Sequence, residues 1–181
     1  MSFLAKGAMV QPKKKKPKVR GQEEQKILRA LPPTFKKTHK GIWEGAQKKR
    51  DEAFLAGEMV GEGLEFILNA WGGKPDFSNP YTTADIINTL ESYYEAVKEY
   101  EDWLKKAEKA GVAFPAHYKK SLAKLKEKES EYKKLELKWG LVQDKWKRNL
   151  FRLASFQDEP AEKRLLIKMA LLFNEDFLKK M

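Results

Sequence analysis

The sequence predicts an all-α protein: a basic N-terminal arm and a kinked helix, followed by an antiparallel helical bundle. Three observations carry this. Apolar residues recur at steps of three and four over long stretches between 86 and 156. Proline and glycine pairs mark the breaks between those stretches. No segment sustains the two-residue alternation of a half-buried strand.

Charge is distributed unevenly along the 181 residues. Residues 1–50 hold 15 Lys/Arg against 3 Asp/Glu, whereas residues 51–181 hold 22 against 23. The whole surplus of +11 therefore sits at the front, the footprint of a polyanion binder. With no cysteine, disulfides and thiolate metal sites are excluded. Only His39 and His117 are available as imidazoles, so no metal or other cofactor is expected. No stretch reaches the ~18 apolar residues of a membrane span, and the opening residues match neither a secretory signal nor an Arg- and Ser-rich presequence.

Residues 1–21 read as a flexible basic arm, because Pro12, Pro17 and the run Lys13 to Lys16 oppose helix formation. Residues 22–31 predict a short helix with Glu23 and Glu24 at its start and Arg29 near its end, stopped by Pro32-Pro33. A second helical pattern runs from Thr34 to about Ala70, interrupted by Gly41, Gly45, Gly57, Gly61 and Gly63. Residues 22–71 thus form a basic, glycine-interrupted unit facing nucleic acid, and residues 80–181 the bundle, with 46–70 able to serve as a fourth member.

After the break at Gly72 to Pro75 and Ser78 to Pro80, Thr82 or Thr83 is suited to cap a helix. Its seam is a heptad: Ile86, Leu90, Tyr93, Val97, Tyr100, Leu104 and Ala107, closed by Gly111. From Pro115 a second stripe runs through Tyr118, Leu125, Tyr132, Trp139, Trp146, Leu153 and Phe156, with Gly140 as the place where it can bend. Its aromatics read as core, and its length exceeds what one small bundle covers, which points to self-association or a homologous partner subunit. A last helix is capped by Asp158 and opened by Pro160, with an apolar face of Leu165, Leu166, Met169, Leu172, Phe173 and Phe177.

Phosphate contacts need cations and tolerate loose geometry, so the candidate nucleic-acid contacts are Lys13, Lys14, Lys15, Lys16, Lys18 and Arg20 on the arm. Lys26, Arg29, Lys36, Lys37, Lys40, Lys48, Lys49 and Arg50 continue them on the helices. The arm string also resembles a monopartite nuclear localisation signal, or serves as a solvated tail. Phe35 and Trp43 are candidates for base stacking, although a core role suits them better. Each G-x-x-x-G pair reads equally as a backbone approach to phosphate or as a close helix crossing. No phosphate loop, nucleophile elbow or facing carboxylate pair is present, so an enzyme is not expected.

The arm Lys13 to Arg20, the basic stretch Lys26 to Arg50 and the bundle Thr82 to Lys180 together resemble, in layout, the major capsid proteins of filamentous archaeal viruses of the lipothrixvirus and rudivirus kind. That resemblance implies N-terminal helices wrapping double-stranded DNA without base readout, an outward-facing bundle and a place in the virion. Two alternatives stay open. One is an RNA-binding accessory subunit of a ribosome or other ribonucleoprotein particle; the other is a nuclear helical adaptor that uses the arm as an address.

Overall fold

The computed structural model of the chain describes residues 20–70, 79–142 and 144–172. All six elements are helices: α1 (Arg20–Ala30), α2 (Pro33–Ala70), α3 (Pro80–Lys109), α4 (Ala116–Trp139), α5 (Lys145–Ser155) and α6 (Pro160–Leu172). No strand occurs among the described residues. The arm cations Lys13 to Lys18, and Phe173 and Phe177, lie outside the described residues.

α2 is one continuous helix of 38 residues, roughly 57 Å long at 1.5 Å per residue. Its glycines do not end it, because its inner side is a heptad seam. His39, Trp43, Ala46, Arg50, Ala53, Gly57, Val60 and Leu64 follow one another in alternating steps of four and three, and all are buried. This seam lies antiparallel on that of α3, whose Ile86, Leu90, Tyr93, Val97, Tyr100, Leu104 and Ala107 are all buried as expected. The register shows in the partners: Gly45 meets Trp103, Lys49 meets Glu99, and Gly57 meets Tyr93. Of the two readings of the glycine pairs, Gly45 and Gly57 follow the close-crossing one. α2 is thus no appendage to a separate bundle: its inner face forms one core with α3 and α4.

Four tyrosines fix the axial register of this three-helix core. Tyr93 Oη donates to Leu125 O at 2.7 Å and Tyr100 Oη to Tyr118 O at 3.1 Å, tying α3 to an antiparallel α4. Tyr118 Oη donates to Trp43 O at 3.3 Å and Tyr132 Oη to Gly57 O at 3.4 Å, tying α4 to a parallel α2. A helical carbonyl has a second lone pair free for such a donor, so each hydroxyl is satisfied without breaking the helix it touches.

Local signals explain the ends. Asn79 caps α3, its Oδ1 accepting from Tyr81 N at 3.0 Å, with Pro80 at the first turn. The helix therefore starts three residues before the expected Thr82 cap, since an Asx cap followed by proline satisfies the first turn earlier. Gly111 (φ 80°) and Gly140 (φ 64°) close α3 and α4 in the left-handed conformation that side chains disfavour. Gly140 ends the helix rather than bending it. Asp144 then restarts the chain as α5, its side chain accepting from Lys147 N at 3.0 Å.

That break corrects the long aromatic stripe. The chain turns at Gly140 and α5 runs parallel to α3, so its buried side becomes Phe151 and Ala154, packed with Ala84, Ile87, Ile167 and Ala170. Trp146 (67% exposed), Leu153 (52%) and Phe156 (58%), expected in the core, face outward. In α6 the buried pair is Ile167 and Ala170, whereas Leu165 and Leu172 of the expected face are exposed.

Two glycines of α2 give a paired test. Gly41 faces open space, so Gly41→Ala should raise stability by about 1 kcal/mol through helix propensity. A Cβ on Gly45 would overlap the Trp103 ring, whose Nε1 donates to Ile42 O at 3.2 Å. Gly45→Ala gains the same propensity but displaces that ring and its hydrogen bond, so it should end about 1 kcal/mol less stable than Gly41→Ala. Urea titrations of both variants check the difference.

Candidate nucleic-acid interface

The cations predicted to contact phosphate do not all meet solvent. Arg50 is 6% exposed within the α2 seam, and its Nη2 donates to Asp51 Oδ1 at 2.7 Å. Lys49 lies 2.6 Å from Glu99 and 3.0 Å from Glu52, and these hydrogen bonds hold its ammonium above the usual lysine range. Both are engaged within the fold, because the seam spacing places them at the α2–α3 contact. Lys48 is exposed and only loosely paired with Glu52 at 4.0 Å.

Lys26, Arg29, Lys37 and Lys40 are exposed and Lys36 is half-buried. Among the described residues none of these five is paired with a carboxylate, and residues 25–43 contain no acid at all. Lys37, Lys40 and Lys48 fall on the outer side of α2, opposite the seam. Arg20 is the first residue of α1 and joins the arm to this block.

The two acids in residues 1–43 are turned toward α4. Glu23 Oε2 accepts from Ala116 N at 3.0 Å, at the first turn of α4 where a carboxylate is favoured by the exposed amides. Glu24 lies 3.9 Å from His117 Nε2. Docking α1 in this way uses its negative charge internally and leaves the rest of the N-terminal region cationic.

The stacking candidates separate. Trp43 is 5% exposed and its Nε1 donates to Ala113 O at 3.0 Å, so it is core and unavailable to a base. Phe35 is 56% exposed. His39 is buried, with Nδ1 3.0 Å from Phe35 O and its ring edge-on to Trp43. His117 packs on Tyr118 with ring centroids 4.3 Å apart.

Comparisons with protein-family models, with curated proteins and with solved structures find no match to this chain. The functional reading therefore rests on the residues themselves.

A second charged cluster lies between α3, α4 and α5. Arg148 contacts Glu91 and lies 2.8 Å from Glu136, a carboxylate only 5% exposed. Tyr94 Oη donates to Glu136 Oε2 at 2.9 Å, and Arg152 grips Glu95 with two bonds of 2.6 and 2.7 Å. One guanidinium thus bridges carboxylates on α3 and α4, which marks the cluster as a structural joint for α5. Sequence spacing did not reveal it, because Glu136 and Arg148 sit on opposite sides of the Gly140 break. Among the described residues no group of three or more His, Asp or Glu could hold a metal ion, and no helix is long and apolar enough to cross a membrane.

Proposed function

We propose that this protein is a structural nucleic-acid-packaging subunit that binds duplex DNA without sequence readout, as a nucleocapsid protein does. One observation carries the reading: the acid-free, unpaired cationic block of residues 25–43, continuous with the lysine-rich arm and backed by a rigid bundle. Such a surface neutralises phosphates and offers no ordered set of side chains for base edges. RNA in place of DNA is a finer choice tested by the same experiments.

Salt dependence is the direct test. With six or more phosphate contacts, affinity for a duplex should fall by roughly 10³-fold or more between 50 and 200 mM salt. Lys36→Ala/Lys37→Ala/Lys40→Ala should reduce the slope of log affinity against log salt by about three. Lys49→Ala, whose charge is engaged by Glu99 and Glu52, should leave that slope unchanged. Equal slopes for the triple variant and the wild type would reject the interface, and tighter binding to single-stranded RNA than to duplex DNA would favour the ribonucleoprotein alternative.

A further inference from the structure

We infer that copies of this chain dock head to tail, the outer acidic-apolar side of the C-terminal half of α2 receiving the basic-apolar side of α5 and α6 from the next copy. The inference deepens the packaging reading, and rests on it for the requirement that many copies line one polymer.

Both faces are unpartnered and apolar. On α2, Leu55 (60% exposed), Met59 (60%) and Phe66 (74%) share the side turned away from the seam. On α5 and α6, Trp146, Leu153 and Leu165 are each more than half exposed. Monomers rarely leave several large side chains of this kind open on one element.

Their charges are opposite. Residues 51–66 hold five acids and no cation; Glu58, Glu62 and Glu65 are exposed, and among the described residues none is in an ion pair. Residues 145–157 hold four cations and no acid. Arg148 and Arg152 are matched inside the fold, which leaves exposed Lys145 and half-buried Lys147 on α5, with Arg164 and Lys168 on α6, for an outside partner. An apolar centre with a rim of complementary sign is what one protein surface presents to another.

The two faces cannot meet within one copy. α2 and α5 both pack on α3, and the Leu55 side of α2 is the side turned away from α3. A contact between unlike patches is heterologous, so each added copy leaves its other face free and growth continues into a ring or filament.

The test uses two charge-reversed full-length variants, Glu58→Lys/Glu62→Lys and Arg164→Glu/Lys168→Glu, followed by sedimentation without nucleic acid. All four positions are exposed, so both variants should fold, as circular dichroism checks. Wild type should assemble in a concentration-dependent way, and each variant alone should need about tenfold more protein or higher to do so. An equimolar mixture should regain assembly, because each variant keeps the face that the other lacks and the two reversed faces are again opposite in charge. Trp146→Ala should weaken assembly similarly with no change in charge. Assembly unaffected by either variant, a mixture that behaves like the separate variants, or a wild type monomeric at every accessible concentration would each overturn the proposal. Duplex binding measured on the same proteins keeps the two readings apart: its absence rejects packaging, while its retention in a variant that does not assemble supports docking.

Discussion

Arg148→Ala should lower stability by about 3–5 kcal/mol, a large share of what a domain of this size possesses. The arginine is the sole cation the described structure places against Glu136, a carboxylate 5% exposed with Tyr94 as its other partner. Removing it leaves that charge desolvated and unmatched, which costs far more than the pair contributes. The decisive comparison is a double variant. Arg148→Met with Glu136→Gln replaces the ion pair by groups of similar volume and should lose less than Arg148→Ala alone. Chemical denaturation of the three proteins measures this. A loss below about 1 kcal/mol for Arg148→Ala would mean that water screens the cluster and that α5 is held mainly by its apolar contacts through Phe151 and Ala154.

The second large effect is alkaline unfolding. Burial pushes the hydroxyls of Tyr93 and Tyr94 well above the ordinary phenol value of 10.0 and raises that of Tyr132, with the Glu136 carboxylate adding to the rise at Tyr94. A raised pKa means that the folded state keeps protons which the unfolded chain releases. These groups therefore contribute their full stability below pH ~10, and the contribution falls as pH climbs toward the folded values. Each strongly shifted tyrosine removes up to about 1.4 kcal/mol per pH unit in that window, so Tyr93 and Tyr94 together remove up to about 3 kcal/mol per unit. Melting temperature should thus drop steeply between pH 10 and 11, with phenolate absorbance appearing together with unfolding. Tyr93→Phe should cost about 1 kcal/mol at neutral pH through its lost bond to Leu125 O. It should also show a shallower alkaline slope. A tyrosine absorbance titration complete near pH 10 in the folded protein would refute the argument.

The features legible in the sequence are those that large apolar residues announce. The α3 heptad, Pro115 and Pro160 at the starts of α4 and α6, and the glycine that closes α3 were all readable, because each is a local signal with one meaning. The α2 seam was not, although its spacing is just as regular. Its positions are filled by His39, Ala46, Arg50, Ala53 and Gly57, which a hydrophobic pattern passes over, since room for Tyr93 and Trp103 matters there more than apolar bulk. Trp146 and Phe156 failed for the opposite reason. They continue the α4 stripe in number, but the left-handed Gly140 resets the helical phase, and α5 turns Phe151 and Ala154 inward.

The proposed interface was half legible. A charge count found the cationic N-terminal region but could not see that Lys49 and Arg50 are consumed inside the fold. Nor could it see that Glu23 and Glu24 are drawn to the start of α4. Which ionic groups face water depends on helix phase and on what lies opposite, and neither is a property of composition.

The uninterrupted length of α2 has an electrical consequence. Its first third carries Lys36, Lys37 and Lys40 and its second half carries Asp51, Glu52, Glu58, Glu62 and Glu65, on a rod with no joint between them. Such a rod behaves like a compass needle in the field of a charged polymer. One end is drawn in and the other driven out, so every molecule arriving on the polymer would adopt the same inside-to-outside bearing before any neighbour touches it.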